Sequence, residues 1–171
     1  MRIYLIGFMG TGKTTLGQSV ADALIVPFYD TDQLIESQAG MSISGIFELQ
    51  GEKEFREIEA DVLRQTTIHD KALIATGGGL PCYFENVSWM NEHGITMHLS
   101  WPPEILQSHL LRQTATRPLL ENLNQADAAN KIDVLLHERK PFYEMAAITL
   151  DMTGDLEKDK LTLDKACKYI W

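Results

Sequence analysis

The run GFMGTGKT, Gly7 to Thr14, satisfies the pattern GxxxxGK[ST] at every fixed position. Residues of these types at this spacing do one kind of chemistry, which is to wrap a polyphosphate. Gly7, Gly10 and Gly12 let backbone N–H groups turn inward without Cβ obstruction, and a helix starting near Lys13 adds the positive end of its dipole. Lys13 supplies a cation for the β- and γ-phosphates and the Thr14 hydroxyl a ligand for Mg²⁺, with Gly10, Thr11, Gly12 and Thr15 beside them as nucleotide contacts. The alternative is a glycine-rich turn between a strand and a helix. No NKxD-type guanine motif is present, which favours ATP over GTP.

This run identifies a donor and leaves the acceptor open. Transfer to a small hydroxyl compound needs a carboxylate on the metal side, a group that orients the attacking oxygen, and cations for the developing charge. Asp30 and Asp32 are alternate residues at the end of an extended segment and so can address one cleft, Asp30 toward the Mg²⁺ shell and Asp32 toward the acceptor hydroxyl. A helix N-cap plus a solvated carboxylate is the competing reading, since Asp32 precedes QLIE. Of six arginines, Arg139 lies four residues beyond Leu135, on or beside the apolar stripe of its own helix, where a guanidinium wants an anion. Arg56 stands between Phe55 and Ile58, with Glu59 three residues on to orient it. Two such cations can grip a substrate carboxylate bidentately, or can end in internal salt bridges. Gly77, Gly78 and Gly79 put bare backbone after a strand, either to bind a ligand or to make a tight turn.

The elements that must position these groups are legible as an alternation of strand-length apolar runs with helical periods. RIYLI (2–6), PFYD (27–30), ALIAT (72–76), ITMHL (95–99) and AITLD (147–151) read as strands of a mostly parallel sheet. Phe55, Ile58, Val62 and Leu63, and again Ile132, Leu135, Leu136 and Tyr143, recur at helical spacing. The polar stretch 112–130 reads as a flap or a surface loop, with a helix starting near Asp127. With 171 residues, 44% of them hydrophobic, the chain is expected to form one domain. A net charge of −9 disfavours nucleic acid and anionic membranes as partners, and no apolar run is long enough to cross a bilayer. Cys82 and Cys167 are read as free thiols of a cytoplasmic protein, and the five histidines lack zinc-site spacing.

Taken together, GFMGTGKTT, Asp30-Thr31-Asp32, SISGIFELQGEKEFREIE (42–59), TGGGLP (76–81), RPLL (117–120) and ERKPFYEMA (138–146) resemble shikimate kinase, in that family's order and almost from end to end. The resemblance implies an α/β three-layer P-loop kinase of the nucleoside monophosphate kinase type, with a five-stranded parallel sheet flanked by helices. It implies a substrate-binding segment at about 31–62, a lid at about 112–126, and ATP-dependent, Mg²⁺-dependent phosphorylation of the shikimate 3-hydroxyl in chorismate and aromatic amino-acid synthesis. Carried over by position, Asp32 looks like the residue at the acceptor hydroxyls, Arg56 and Arg139 like the carboxylate grip, and Gly78 and Gly79 like substrate-binding backbone. Arg117 looks like the lid arginine at the ATP phosphates. Phe47, Glu52, Phe55, Pro118 and Leu119 fall where the family shapes its pocket. The segment before RPLL is short and leaves only Arg112, and Ser108 and His109 stand where an Arg-Leu pair is common. The expected partners are ATP and shikimate, bound by a monomer. The rival readings are another small-acid kinase, such as a gluconate kinase, and an ATP-binding module without catalysis.

Overall fold

The computed structural model describes residues 1–112, 120 and 123–171. Its centre is β1 (Arg2–Ile6), whose residues Ile3 to Ile6 are wholly buried. Around it lie β2 (Phe28–Asp30), β3 (Ala72–Ala75), β4 (Gly94–Ser100) and β5 (Ile148–Asp151), all parallel, in the order β2-β3-β1-β4-β5. All five expected strands are present. The third stops one residue early, because Thr76 turns both its N–H and its hydroxyl onto the carbonyl of Leu5.

Successive side chains of a strand leave on opposite faces, so each central strand feeds two cores. Tyr4, Ile6 and Ile74 pack on one side against Leu106 of α5 (Pro103–Leu111) and Ile132 and Leu135 of α6 (Gln125–Tyr143), with α4 (Asn86–His93) on the same face. Ile3, Leu5 and Leu73 pack on the other against Leu16 and Val20 of α1 (Lys13–Leu24) and Leu163 and Cys167 of α7 (Leu156–Ile170). Helices on both faces of one parallel sheet make the three layers that the motifs implied. Each buried aliphatic side chain contributes about 1.5–3 kcal/mol of hydrophobic burial, which is why apolar runs rather than alternation mark these strands.

A third, smaller core joins α2 (Thr31–Ala39) to α3 (Ile43–Gln65) through Ile35, Ile46, Phe55 and Val62. It anchors the segment that follows β2 and carries Arg56. Within α3 the helix is broken at Gly51, where φ is 83° and ψ 173°, so Glu52 to Gln65 run in a new direction.

Helix α6 begins at Gln125, two residues before the expected start, because the Asn124 side chain accepts from Asp127 N–H and caps it. Arg117, Pro118, Leu119 and most of the expected lid lie outside the described residues. No helix among the described residues is long and apolar enough to cross a membrane.

Candidate functional site

The glycine loop grows from the carboxyl end of β1. Gly10 and Gly12 take φ of 81° and 82°, the left-handed region that other residues enter only at a cost, and this bends the chain around a hollow before α1 begins. Lys13 opens the helix, and its ammonium donates to the carbonyls of Gly7 and Phe8, both at 2.8 Å, which holds it inside the loop. Thr11 steadies the same turn by donating to the Phe8 carbonyl. The Thr14 hydroxyl donates to Asp30 Oδ2 at 2.6 Å, tying the loop to the end of β2.

The other Asp30 oxygen accepts from the N–H groups of Asp32 and Gln33, which makes Asp30 the N-cap of α2. The competing capping role considered for Asp32 therefore belongs to Asp30. The extended alternation expected across both acids also gives way, since the helix already starts at Thr31 and Asp32 sits in its first turn. The two acids still line one cavity, of ≈ 470 Å³, together with Gly10, Gly12, Lys13 and Thr14. Thr15 lines it as well, whereas Thr11 is packed inside the loop. At its outer end stand Trp101, His109 and Gly154, with the Trp101 and His109 rings 5.3 Å apart. Asp159 holds that end, accepting from Thr153 N–H, the Thr153 hydroxyl and Gly154 N–H at 2.7 to 2.9 Å.

A second cavity, of ≈ 570 Å³, opens on the far side of Asp32. Arg56 and Arg139 both line it, reaching it from α3 and α6, and each is buried, at 7% and 8% exposure. Arg56 is held at its two terminal nitrogens and on its face, while its buried Nε has no hydrogen-bond partner among the described residues. It donates to Glu59 at 2.7 Å and to Glu52 at 3.1 Å, and it stacks over Tyr83 at 4.3 Å and Phe55 at 5.0 Å. The orientation expected from Glu59 is present, and so are the salt bridges weighed against a ligand role. Arg139 stands over the Phe8 ring and forms no ion pair with a described residue, which leaves its charge facing the cavity wall.

The three glycines after β3 supply backbone to this wall because neighbours crowd them. A Cβ on Gly77 would stand 2.7 Å from Asp32 Oδ1 and 2.8 Å from Glu59 Oε1, and one on Gly79 would stand 2.9 Å from Arg56 Nη1. Gly78 and Asp32 line both cavities, so the two hollows meet there.

Burial pushes the Asp32 carboxyl up to about 6, with Asp30 adding to the effect and Lys13 opposing it. Burial likewise raises Glu59 to about 7 against the pull of Arg56. Burial beside Lys13 lowers His98 to about 4 and keeps that ring neutral. Asp32 is thus a carboxylate at neutral pH, yet more basic than a solvated one, which suits a group that aligns or takes a hydroxyl proton.

Tyr83, Trp101 and Asp159 were not singled out from the sequence. Tyr83 follows the glycines closely enough to have drawn attention. Trp101 and Asp159 meet the glycine-loop cavity only through the strand order. Arg112 is exposed and reaches the Ser108 hydroxyl at 3.4 Å. Cys82 and Cys167 are both free.

Residues 9–168 match the shikimate kinase family. A shikimate kinase of Salinibacter ruber is 39% identical over 163 residues, 92% of this chain and 80% of the relative. The crystal structure of shikimate kinase from Bacteroides thetaiotaomicron superposes with a TM-score of 0.89 at 33% identity and covers 98% of both chains. That of shikimate kinase from Acinetobacter baumannii, in complex with shikimate, gives 0.85 at 33% identity over 98% of this chain and 93% of the other. The motifs, the five-stranded sheet and these end-to-end matches agree, and the chain belongs to the shikimate kinase family.

Proposed function

We propose that the two joined cavities divide one phosphoryl transfer between them, ATP in the glycine-loop cavity and shikimate in the arginine-lined one. Family membership makes the activity ATP-dependent phosphorylation of shikimate to shikimate 3-phosphate, a step of aromatic amino-acid biosynthesis. The observation that carries the division of roles is that Asp32 and Gly78 belong to the walls of both cavities, so an acceptor hydroxyl and a terminal phosphate can meet beside them.

In this reading Arg56 and Arg139 bind the shikimate carboxylate, and the Gly78 and Gly79 backbone sets its depth. Asp32 orients the 3-hydroxyl and accepts its proton, later released to solvent, as the hydroxyl oxygen bonds to the γ-phosphorus. The bond from that phosphorus to the bridging oxygen breaks, and ADP keeps the electron pair. Lys13 and the loop N–H groups hold the phosphate oxygens in place through the exchange. Arg117, outside the described residues, is assigned by resemblance to the same phosphates. Thr14 and Asp30 present a hydroxyl and a carboxylate oxygen 2.6 Å apart, a hard-oxygen pair suited to Mg²⁺, which keeps most of its shell for water and phosphate. When bound there, Mg²⁺ neutralises charge on the β- and γ-phosphates.

A monomer is the proposed working form. The cytoplasm is the proposed setting, where Cys82 and Cys167 keep their thiols. The test is ADP release with Mg²⁺ and ATP, supplied in turn with shikimate, gluconate, a nucleoside monophosphate or no acceptor. Release confined to shikimate is expected. Release confined to gluconate would transfer the acceptor site to another small acid, and tight ATP binding with no transfer to any acceptor would mark a binding module.

A further inference from the structure

Tyr143 lies on α6 four residues after Arg139, so the two side chains leave the same face of the helix. Both are buried. The Tyr143 hydroxyl donates to the Gly78 carbonyl at 2.6 Å, a bond between residues 65 apart in the chain. Its ring stacks on His98 of β4, with centroids 5.2 Å apart and planes 26° apart, which keeps the phenol from swinging out of this position. The Arg139 guanidinium is near enough to that phenol to act on it electrostatically. Its Nη1 is also 3.6 Å from where a Gly78 Cβ would stand. One phenol therefore bonds the backbone that joins the two cavities and neighbours a candidate substrate cation on the same helix face.

We propose that Tyr143 is a positioning residue for the acceptor, its hydroxyl holding the Gly78–Gly79 peptide and the Arg139 guanidinium in one register. In a trans peptide the carbonyl and the following N–H point in opposite directions, so pinning the Gly78 carbonyl on Tyr143 aims the Gly79 N–H away from α6. The same hydroxyl limits where the Arg139 fork can settle. With the hydroxyl removed, the ring still fills its place, but the peptide can rotate and the buried carbonyl loses its partner. The effect falls mainly on shikimate: Gly78 lines the glycine-loop cavity too, but Lys13 and Thr14 there are held independently by the Gly7 and Phe8 carbonyls and by Asp30. This inference rests on the assignment of Arg139 and Gly78 to shikimate binding made above.

The test compares the wild-type protein with Tyr143→Phe, Arg139→Lys and the double variant, varying shikimate and ATP independently. For Tyr143→Phe, the KM for shikimate should rise about tenfold, the loss of roughly one buried hydrogen bond, with the KM for ATP within about twofold. The double variant should show less than the product of the two single effects, because both residues act on one register. The shift in unfolding midpoint that shikimate induces, taken against each variant's own midpoint, gives a second readout even when a variant is less stable. That shift should shrink in Tyr143→Phe while the shift induced by ATP persists. An unchanged shikimate KM in Tyr143→Phe alongside a raised one in Arg139→Lys overturns the role of Tyr143 alone. An unchanged shikimate KM in Arg139→Lys overturns the underlying site assignment. Equal rises for both substrates in Tyr143→Phe would make the hydroxyl a general scaffold element and also overturn the proposal.

Discussion

Replacing Gly79 by alanine isolates a single contact. Gly79 has φ −91° and ψ −19°, a conformation open to any residue, so the change carries no backbone penalty. Its new methyl would stand 2.9 Å from Arg56 Nη1, 3.0 Å from Nη2 and 3.2 Å from Cζ. The first of these is about 0.5 Å inside ordinary van der Waals contact, so the guanidinium has to move. It cannot move freely, because Glu59 and Glu52 hold two of its nitrogens and Tyr83 covers its face. A displacement of this size breaks the alignment of a charge-assisted bond, worth about 1.5–3 kcal/mol, and predicts a rise of roughly 10- to 150-fold in the shikimate KM. The glycine-loop cavity does not include Gly79, so the ATP KM should hold. Initial rates of ADP release with each substrate varied in turn provide the assay, and a thermal melt checks that the fold survives. A shikimate KM unchanged in a folded Gly79→Ala protein would refute the claim that Arg56 is poised for substrate by this close approach.

Other perturbations reach the remaining parts of the site. Asp32→Asn should lower kcat by at least about 100-fold with little change in ATP affinity, and an unaltered rate would remove Asp32 from the mechanism. In the wild-type protein, kcat/KM for shikimate should fall as pH drops below about 6, where Asp32 takes up its proton, and a profile flat down to pH 5 would contradict its role as a carboxylate. Arg139→Ala should weaken shikimate binding and spare ATP binding, whereas equal loss of both would make Arg139 structural. Stability without ligands should also depend on pH. Asp32 and Glu59 have folded values of about 6 and about 7, raised above their ordinary 3.8 and 4.5, so the folded state binds these protons more tightly. Their contribution is complete below about pH 4 and is lost as pH rises through 6 to 7, at up to about 1.4 kcal/mol per pH unit for each proton. Urea melts from pH 5 to 8 should show the decline, and it should be smaller in Glu59→Gln.

The phosphate loop was legible because its chemistry demands fixed residue types at fixed spacing, and the strand before it is a plain apolar run. The burial of Arg139 was legible because a helical period places it beside Leu135. The capping at the end of β2 was harder, since either Asp30 or Asp32 satisfies the local rule and only the packing of Thr14 against Asp30 decides between them. The surroundings of Arg56 were only partly legible, for Glu59 is a helical neighbour, while Tyr83 arrives from the segment after β3. Periodicity alone marks Tyr143 as a core residue. Its ring is that, but the partner of its hydroxyl lies 65 residues away, where no local pattern reaches. Asp159 is similar, since its three hydrogen bonds close a loop whose purpose depends on the strand order.

The central claim, that one site joins ATP to shikimate at Asp32, is tested most directly by ³¹P NMR of the purified protein incubated with Mg²⁺, ATP and shikimate. ADP and a phosphate monoester on the 3-oxygen of shikimate should appear in equal amounts, with no excess of inorganic phosphate. Inorganic phosphate as the main product, or no phosphate-monoester signal while ATP is consumed, would contradict it.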